Sequence, residues 1–117
     1  MMFHLSLPVT DLTACEDFYR EAFGATVQPL RPGVSNIHVF EAQLTLHERT
    51  ASALTAIARS EMHFGQVVSV ASWRAMHARL LKVGVPLVRC AEPSEGRRGK
   101  LVVQDPSGNL VEINSSD

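Results

Sequence analysis

The sequence predicts an α+β fold in which two βαβββ modules curl a mixed sheet around one site. Three observations carry this. A pattern of His, strand, helix and Gly occurs twice, from His4 to Gly24 and from His63 to Gly84, with spacings of 20 and 21 residues. Each copy is followed by three short strand-like segments. At 117 residues, 45% hydrophobic and 20% charged, the chain has room for one domain with a real core and not for two independent ones. The expected organisation is a single domain over 1–117, with module 1 at about 1–50, a linker at about 51–60 and module 2 at about 61–117.

The first strand alternates, with Phe3, Leu5 and Leu7 on one face and His4 and Ser6 on the other. A helix follows, with Asp11 as N-cap, Gly24 as C′ residue and a buried stripe of Leu12, Cys15, Phe18 or Tyr19, and Ala22. Thr26–Gln28, Asn36–Phe40 and Gln43–Glu48 read as strands. In the last of these, Leu44 and Leu46 oppose Thr45 and His47. Arg49–Ser60 is rich in Ala and Ser and suits a solvent-facing linker with a helical turn.

The second copy opens with a strand in which Phe64 and Val68 oppose His63 and Gly65. Its helix carries the stripe Trp73, Met76, Leu80 and Val83, and ends at Gly84 with Pro86 behind it. Pro86–Arg89, Leu101–Gln104 and Leu110–Asn114 complete the strands. Asp105-Pro106-Ser107-Gly108-Asn109 is a tight turn that launches the last strand. There Val111 and Ile113 share one face, Leu110 and Glu112 the other.

One sheet face is therefore apolar and suits packing under helices. The opposite face carries His4, His63 and Glu112 on three different strands. Imidazole and carboxylate suit Fe(II), Mn(II), Ni(II) or Zn(II), and a set of two His and one Glu leaves coordination positions open. The alternative is three separate, ordinary polar side chains. The repeat favours the metal, because His4 and His63 occupy equivalent places. If the second copy's loop is five residues longer than the first's, His47 is the counterpart of Glu112, a fourth ligand or an acid/base group. His38, Ser6 and Thr45 are candidates for the cavity lining. Arg97, Arg98 and Lys100, in Glu95–Lys100, form either an anion contact or a solvated hairpin.

FHLSLPVTDLTACEDFYREAFG and LVVQDPSGNLVEI resemble the opening and closing motifs of the vicinal oxygen chelate superfamily, which includes glyoxalases, bleomycin resistance proteins and extradiol dioxygenases. The resemblance spans nearly the whole chain and is specific at both ends. MHFGQVVSVASWRAMHARLLKVGVPLV is most similar to small extradiol-dioxygenase-like members. It implies paired βαβββ modules, a divalent metal, His4, His63 and Glu112 at the first-, fifth- and eighth-strand ligand positions, and a C2 homodimer. It further implies an enzyme, with Fe(II)-dependent extradiol-type oxygenation of a small catecholic or vicinal-oxygen substrate as first choice. A glyoxalase-type lyase or isomerase, a thiol transferase, and a metal-free ligand- or drug-binding resistance protein are the alternatives. His47 falls near the position where glyoxalase I uses a carboxylate.

Eleven basic against twelve acidic side chains leave a formal charge of −1, with no net drive toward nucleic acid or an anionic membrane. The N-terminus has no signal-peptide pattern, and Cys15 and Cys90 are expected as unpaired structural thiols, so the expected location is the cytoplasm. Exposed sheet edges and modest size argue independently for a homodimer.

Overall fold

The computed structural model describes residues 1–51 and 54–116. Its elements run β1 (Phe3–Val9), α1 (Leu12–Phe23), β2 (Thr26–Arg31), β3 (Val34–Val39), β4 (Ala42–Glu48), α2 (Ala56–Glu61), β5 (His63–Val68), α3 (Val70–Val83), β6 (Arg89–Ala91), β7 (Lys100–Gln104) and β8 (Leu110–Ser115). Two four-stranded sheets result, ordered β1-β4-β3-β2 and β5-β8-β7-β6. In each, the strand before the main helix pairs in parallel with the last strand of its module, and the remaining pairs are antiparallel. The paired modules expected from the repeat are present, and the sheets do not close into a barrel.

The helices start and stop where local chemistry requires. Asp11 caps α1 by accepting from the Ala14 N–H, and Ser69 caps α3 through Ser72. Gly24 and Gly84 end them in the left-handed region, at φ 69° and 85°. The α1 stripe buries Cys15, Tyr19 and Ala22. In α3, Trp73 and Leu80 are buried, but Val83, in the last turn, is exposed. The linker turn is the short helix α2, capped by Thr55.

The sixth strand departs from expectation, forming at Arg89–Ala91 instead of Pro86–Arg89. Val85 still donates back to Leu80 in the helix exit, and Pro86 has no N–H to offer a ladder. Pairing starts only once Val88 donates to Val102.

Both helices cover the same side of their sheets. Glu16 on α1 accepts from Ser35 on β3, and the Trp73 indole donates to the Ile113 carbonyl on β8. Residues of both modules form one apolar core that includes Tyr19, Ile37, Leu44, Leu46, Trp73, Leu101 and Ile113.

A polar clasp ties the modules together. The buried Tyr19 hydroxyl donates to Asp105 Oδ2 at 2.9 Å. Asp105 Oδ1 accepts from the Ser107 and Asn109 backbone N–H groups, both at 2.9 Å. Asn109 Nδ2 reaches Asp105 and the Pro8 carbonyl, and Ser107 Oγ accepts from the Thr10 N–H. The Asp-Pro-Ser-Gly-Asn turn therefore does more than launch β8, since it docks module 2 onto β1 and α1. The molecule measures 47 × 30 × 29 Å, and among the described residues the face of each sheet away from α1 or α3 carries no long helix.

Candidate metal centre

Strand alternation and register set the open faces. In sheet one the rows are His4, Gln43 and His38; then Ser6, Thr45 and Asn36; then Pro8, His47 and Val34. In sheet two they are His63, Leu110 and Gln104; then Gly65, Glu112, Val102 and Arg89; then Val67, Asn114, Lys100 and Ala91.

Sheet two brings His63 and Glu112 together. His63 Nε2 lies 3.4 Å from Glu112 Oε2, with side-chain exposures of 41% and 18%. Asn114 Nδ2 donates to the same carboxylate oxygen at 3.1 Å. Lys100 Nζ stands 3.4 Å from Glu112 Oε1. Burial pushes the Glu112 carboxyl up. The Asn114 hydrogen bond and the charges of Lys100 and His63 outweigh it and hold the group below its ordinary value. The carboxylate is thus ready as an anion at neutral pH. A shallow cavity of about 220 Å³ opens over His63, Gly65, Val67, Glu112 and Asn114.

Gly65 makes this packing possible. A Cβ built there would lie 1.7 Å from the Glu112 carbonyl oxygen, so β5 approaches β8 more closely than any other residue permits. Asn114 Oδ1 is buried without a hydrogen-bond partner. Asn114 and Gly65 were missed in the sequence reading, although both share a period-two face with a named ligand.

His4 does not join the pair within one chain. Among the described residues, no group of three or more His, Cys, Asp or Glu is gathered closely enough to hold a metal ion. A mainly apolar cavity at the seam between the sheets shows why. It brings Ser6 and Pro8 of β1, not His4, beside His63 and Asn109. A second seam cavity brings Phe3 and Leu5 beside Gly65. The two inner strands thus run in opposite senses, and exposed His4 faces outward on its own sheet.

The remaining candidates divide. His47 Nε2 and Ser6 Oγ are hydrogen-bonded at 2.9 Å on the open face of sheet one. The register makes Thr45, paired to Ser6 as Glu112 is to Gly65, the counterpart of Glu112. His47 corresponds instead to Asn114. Thr45 is buried and donates to Asn36 Oδ1. His38 is half-buried in the His4 row. Arg97 bends back to the Glu92 carbonyl, and Arg98 is exposed in the same turn, whereas Lys100 reaches the centre. Tyr19 is a clasp residue whose hydroxyl burial and Asp105 hold far from ionisation. Cys15 is buried and Cys90 exposed, both unpaired, so only Cys15 is a core thiol.

The fold places this arrangement among known proteins. The model of the Glyoxalase/Bleomycin resistance protein/Dioxygenase superfamily matches residues 2–113. The chain belongs to that superfamily. A glyoxalase/bleomycin resistance protein/dioxygenase from Alicyclobacillus acidocaldarius shares the fold at TM-score 0.81 and 23% identity, over 98% of this chain and 90% of that one. FosX, a fosfomycin resistance protein from Listeria monocytogenes, is similar at TM-score 0.74 and 17% identity, over 97% and 87%. That structure, of a mutant, holds Mn(II) and 1S,2S-dihydroxypropylphosphonic acid. A lactoylglutathione lyase from Agrobacterium tumefaciens is similar at TM-score 0.72 and 21% identity, over 99% and 93%. No curated protein sequence matches the chain. Among the described residues no helix is long and apolar enough to cross a membrane.

Proposed function

We propose that the protein is a divalent-metal enzyme acting on a small substrate with two adjacent oxygens. Its centre would take His63 and Glu112 from one chain and His4 from a second copy in a C2 homodimer. The observation that carries this is the His63–Glu112 pair on the open floor of module 2. Two donors about 2.1 Å from one ion sit about 3.0–3.4 Å apart, so the pair fits two neighbouring coordination positions. Asn114 orients the carboxylate, as a supporting residue does for a metal ligand.

A second copy is needed for two reasons. His4 stands apart from the pair, and each module presents an open polar face. Laying module 1 of one copy over module 2 of another would bring His4, Ser6 and His47 to the cavity. It would also cover faces that one chain leaves wet. In that arrangement His47, hydrogen-bonded to Ser6, is the acid/base candidate.

When bound, the ion would stabilise negative charge on a substrate oxygen. Protein groups would orient the substrate and move the proton. Fe(II)-dependent extradiol-type oxygenation is the first reaction to assay, with glyoxalase-type isomerisation and thiol transfer next. The metal-free binding alternative draws on the Lys100–Glu112 ion pair, which neutralises the carboxylate without a metal. Purification without chelator or tag, metal analysis, and assay of a catechol panel in air with Fe(II), Mn(II), Ni(II) or Zn(II) separate these readings. A wild-type protein that takes up none of the four ions would sink the metal reading.

A further inference from the structure

We propose that Lys100 and Arg89 form an anion-recognition subsite beside Glu112, so that the substrate carries an acid group, a carboxylate or a phosphonate, next to its adjacent oxygens. This rests on the metal reading above and deepens it.

Cys90 contacts His77 of α3, with Sγ 3.6 Å from Nε2, so its side chain points to the helix side of β6. Its strand neighbours Arg89 and Ala91 therefore point to the open face. The register sets Arg89 in the row of Glu112, two strands away across Val102. At about 4.8 Å per strand, that is a span a guanidinium and a ligand of several atoms bridge together. Arg89 is exposed, and among the described residues no hydrogen bond or ion pair engages its guanidinium. Lys100 stands in the adjoining row, 36% exposed, and touches Glu112 directly.

The charge balance points the same way. Around Glu112 the open face carries two fixed cations, Lys100 and Arg89, one carboxylate and the imidazole of His63, and the remaining neighbours are uncharged. A divalent ion on Glu112 would take the carboxylate from Lys100 and leave three positive charges in excess. A neutral diol would leave that excess uncompensated, whereas a carboxylate or phosphonate would meet it with charge-assisted hydrogen bonds. Arg97 and Arg98 do not enter this subsite.

The test titrates Mn(II) into the wild-type protein and then adds lactate, hydroxymethylphosphonate or propane-1,2-diol to the loaded protein, with affinities read by calorimetry. Both anions should bind at least about tenfold more tightly than the diol. The tighter of the two names the acid group. Lys100→Met and Arg89→Met should each weaken anion binding about fivefold or more and leave the diol unchanged, while Lys100→Arg should retain the anion. Without any anion, Lys100→Met should bind Mn(II) more tightly, because it removes a cation that competes for Glu112. If Mn(II) binds but the variants treat anion and diol alike, the subsite is overturned and the metal reading stands. If wild type binds no Mn(II), both fall.

Discussion

Gly65 faces the Glu112 backbone at a distance no side chain tolerates. Gly65→Ala must push β5 off β8 at the point where the carboxylate is aimed. A stability loss of about 1–3 kcal/mol is expected from overpacking, read as a lower urea midpoint, together with weaker metal uptake. An unchanged midpoint would show that the strands part freely there. Cys15 offers a pH test. Burial raises its thiol from 9.0 to about 11, and the neighbouring Ser107 hydrogen bond only partly offsets this. Tyr19 is raised for the same first reason, with Asp105 adding to it. A group whose folded pKa is raised contributes stability that is complete below its unfolded pKa and is lost as pH rises through the folded one. Stability should therefore fall above about pH 9 through Cys15 and above about pH 10 through Tyr19, by on the order of 1.4 kcal/mol per pH unit for each group. Cys15→Ala should flatten the loss between pH 9 and 11 when urea midpoints are compared. An identical slope in the variant would remove Cys15 as a cause.

The Asp105–Asn109 turn is the element that makes two modules one body. Asp105 is 3% exposed and accepts hydrogen bonds from Tyr19, Ser107 and Asn109. Asp105→Ala would strand several buried donors, with an expected loss of about 3–5 kcal/mol. Tyr19→Phe removes one of these bonds and should cost about 1–2 kcal/mol. The double variant should lose less than the sum, since both touch one network, and strict additivity in urea melts would contradict the clasp. Other elements show what one-dimensional pattern can and cannot supply. The helices were readable because caps, stripes and terminal glycines are local chemistry. The faces of β1, β4, β5 and β8 were readable because alternation is local too. Register is not local. Glu112 lies 28 residues beyond Gly84 and Thr45 only 21 beyond Gly24, so an assumed five-residue excess points to His47 where seven is needed. The boundary of β6 was missed for a similar reason: Pro86 follows the helix stop, but only the partner strand decides where pairing begins.

At the scale of the whole molecule, the pairing of modules decides whether the centre is complete. Sequence equivalence makes His4 and His63 partners in symmetry but does not say whether they meet within one chain. The structure keeps His4 out of the His63–Glu112 pair, because Ser6 and Pro8 line the seam beside His63. If the centre is shared between copies, a His4→Ala chain still carries an intact His63–Glu112 pair. A Glu112→Ala chain still carries an intact His4. Each variant alone should bind no metal, because every site in its homodimer lacks a ligand. Co-expression with two different tags should produce mixed dimers in which one site has all three ligands and the other lacks two. Random pairing makes half the dimers mixed, so metal content should recover to about a quarter of wild type. Purification through both tags should raise it to about half. The measurement is metal per chain after dialysis, with oligomer mass by light scattering alongside. Both variants must show the dimer mass for the result to count, and exposed His4 together with half-buried Glu112 makes that the expected outcome. No recovery in doubly tagged dimers would place His4 outside the centre and leave the cavity to a single chain.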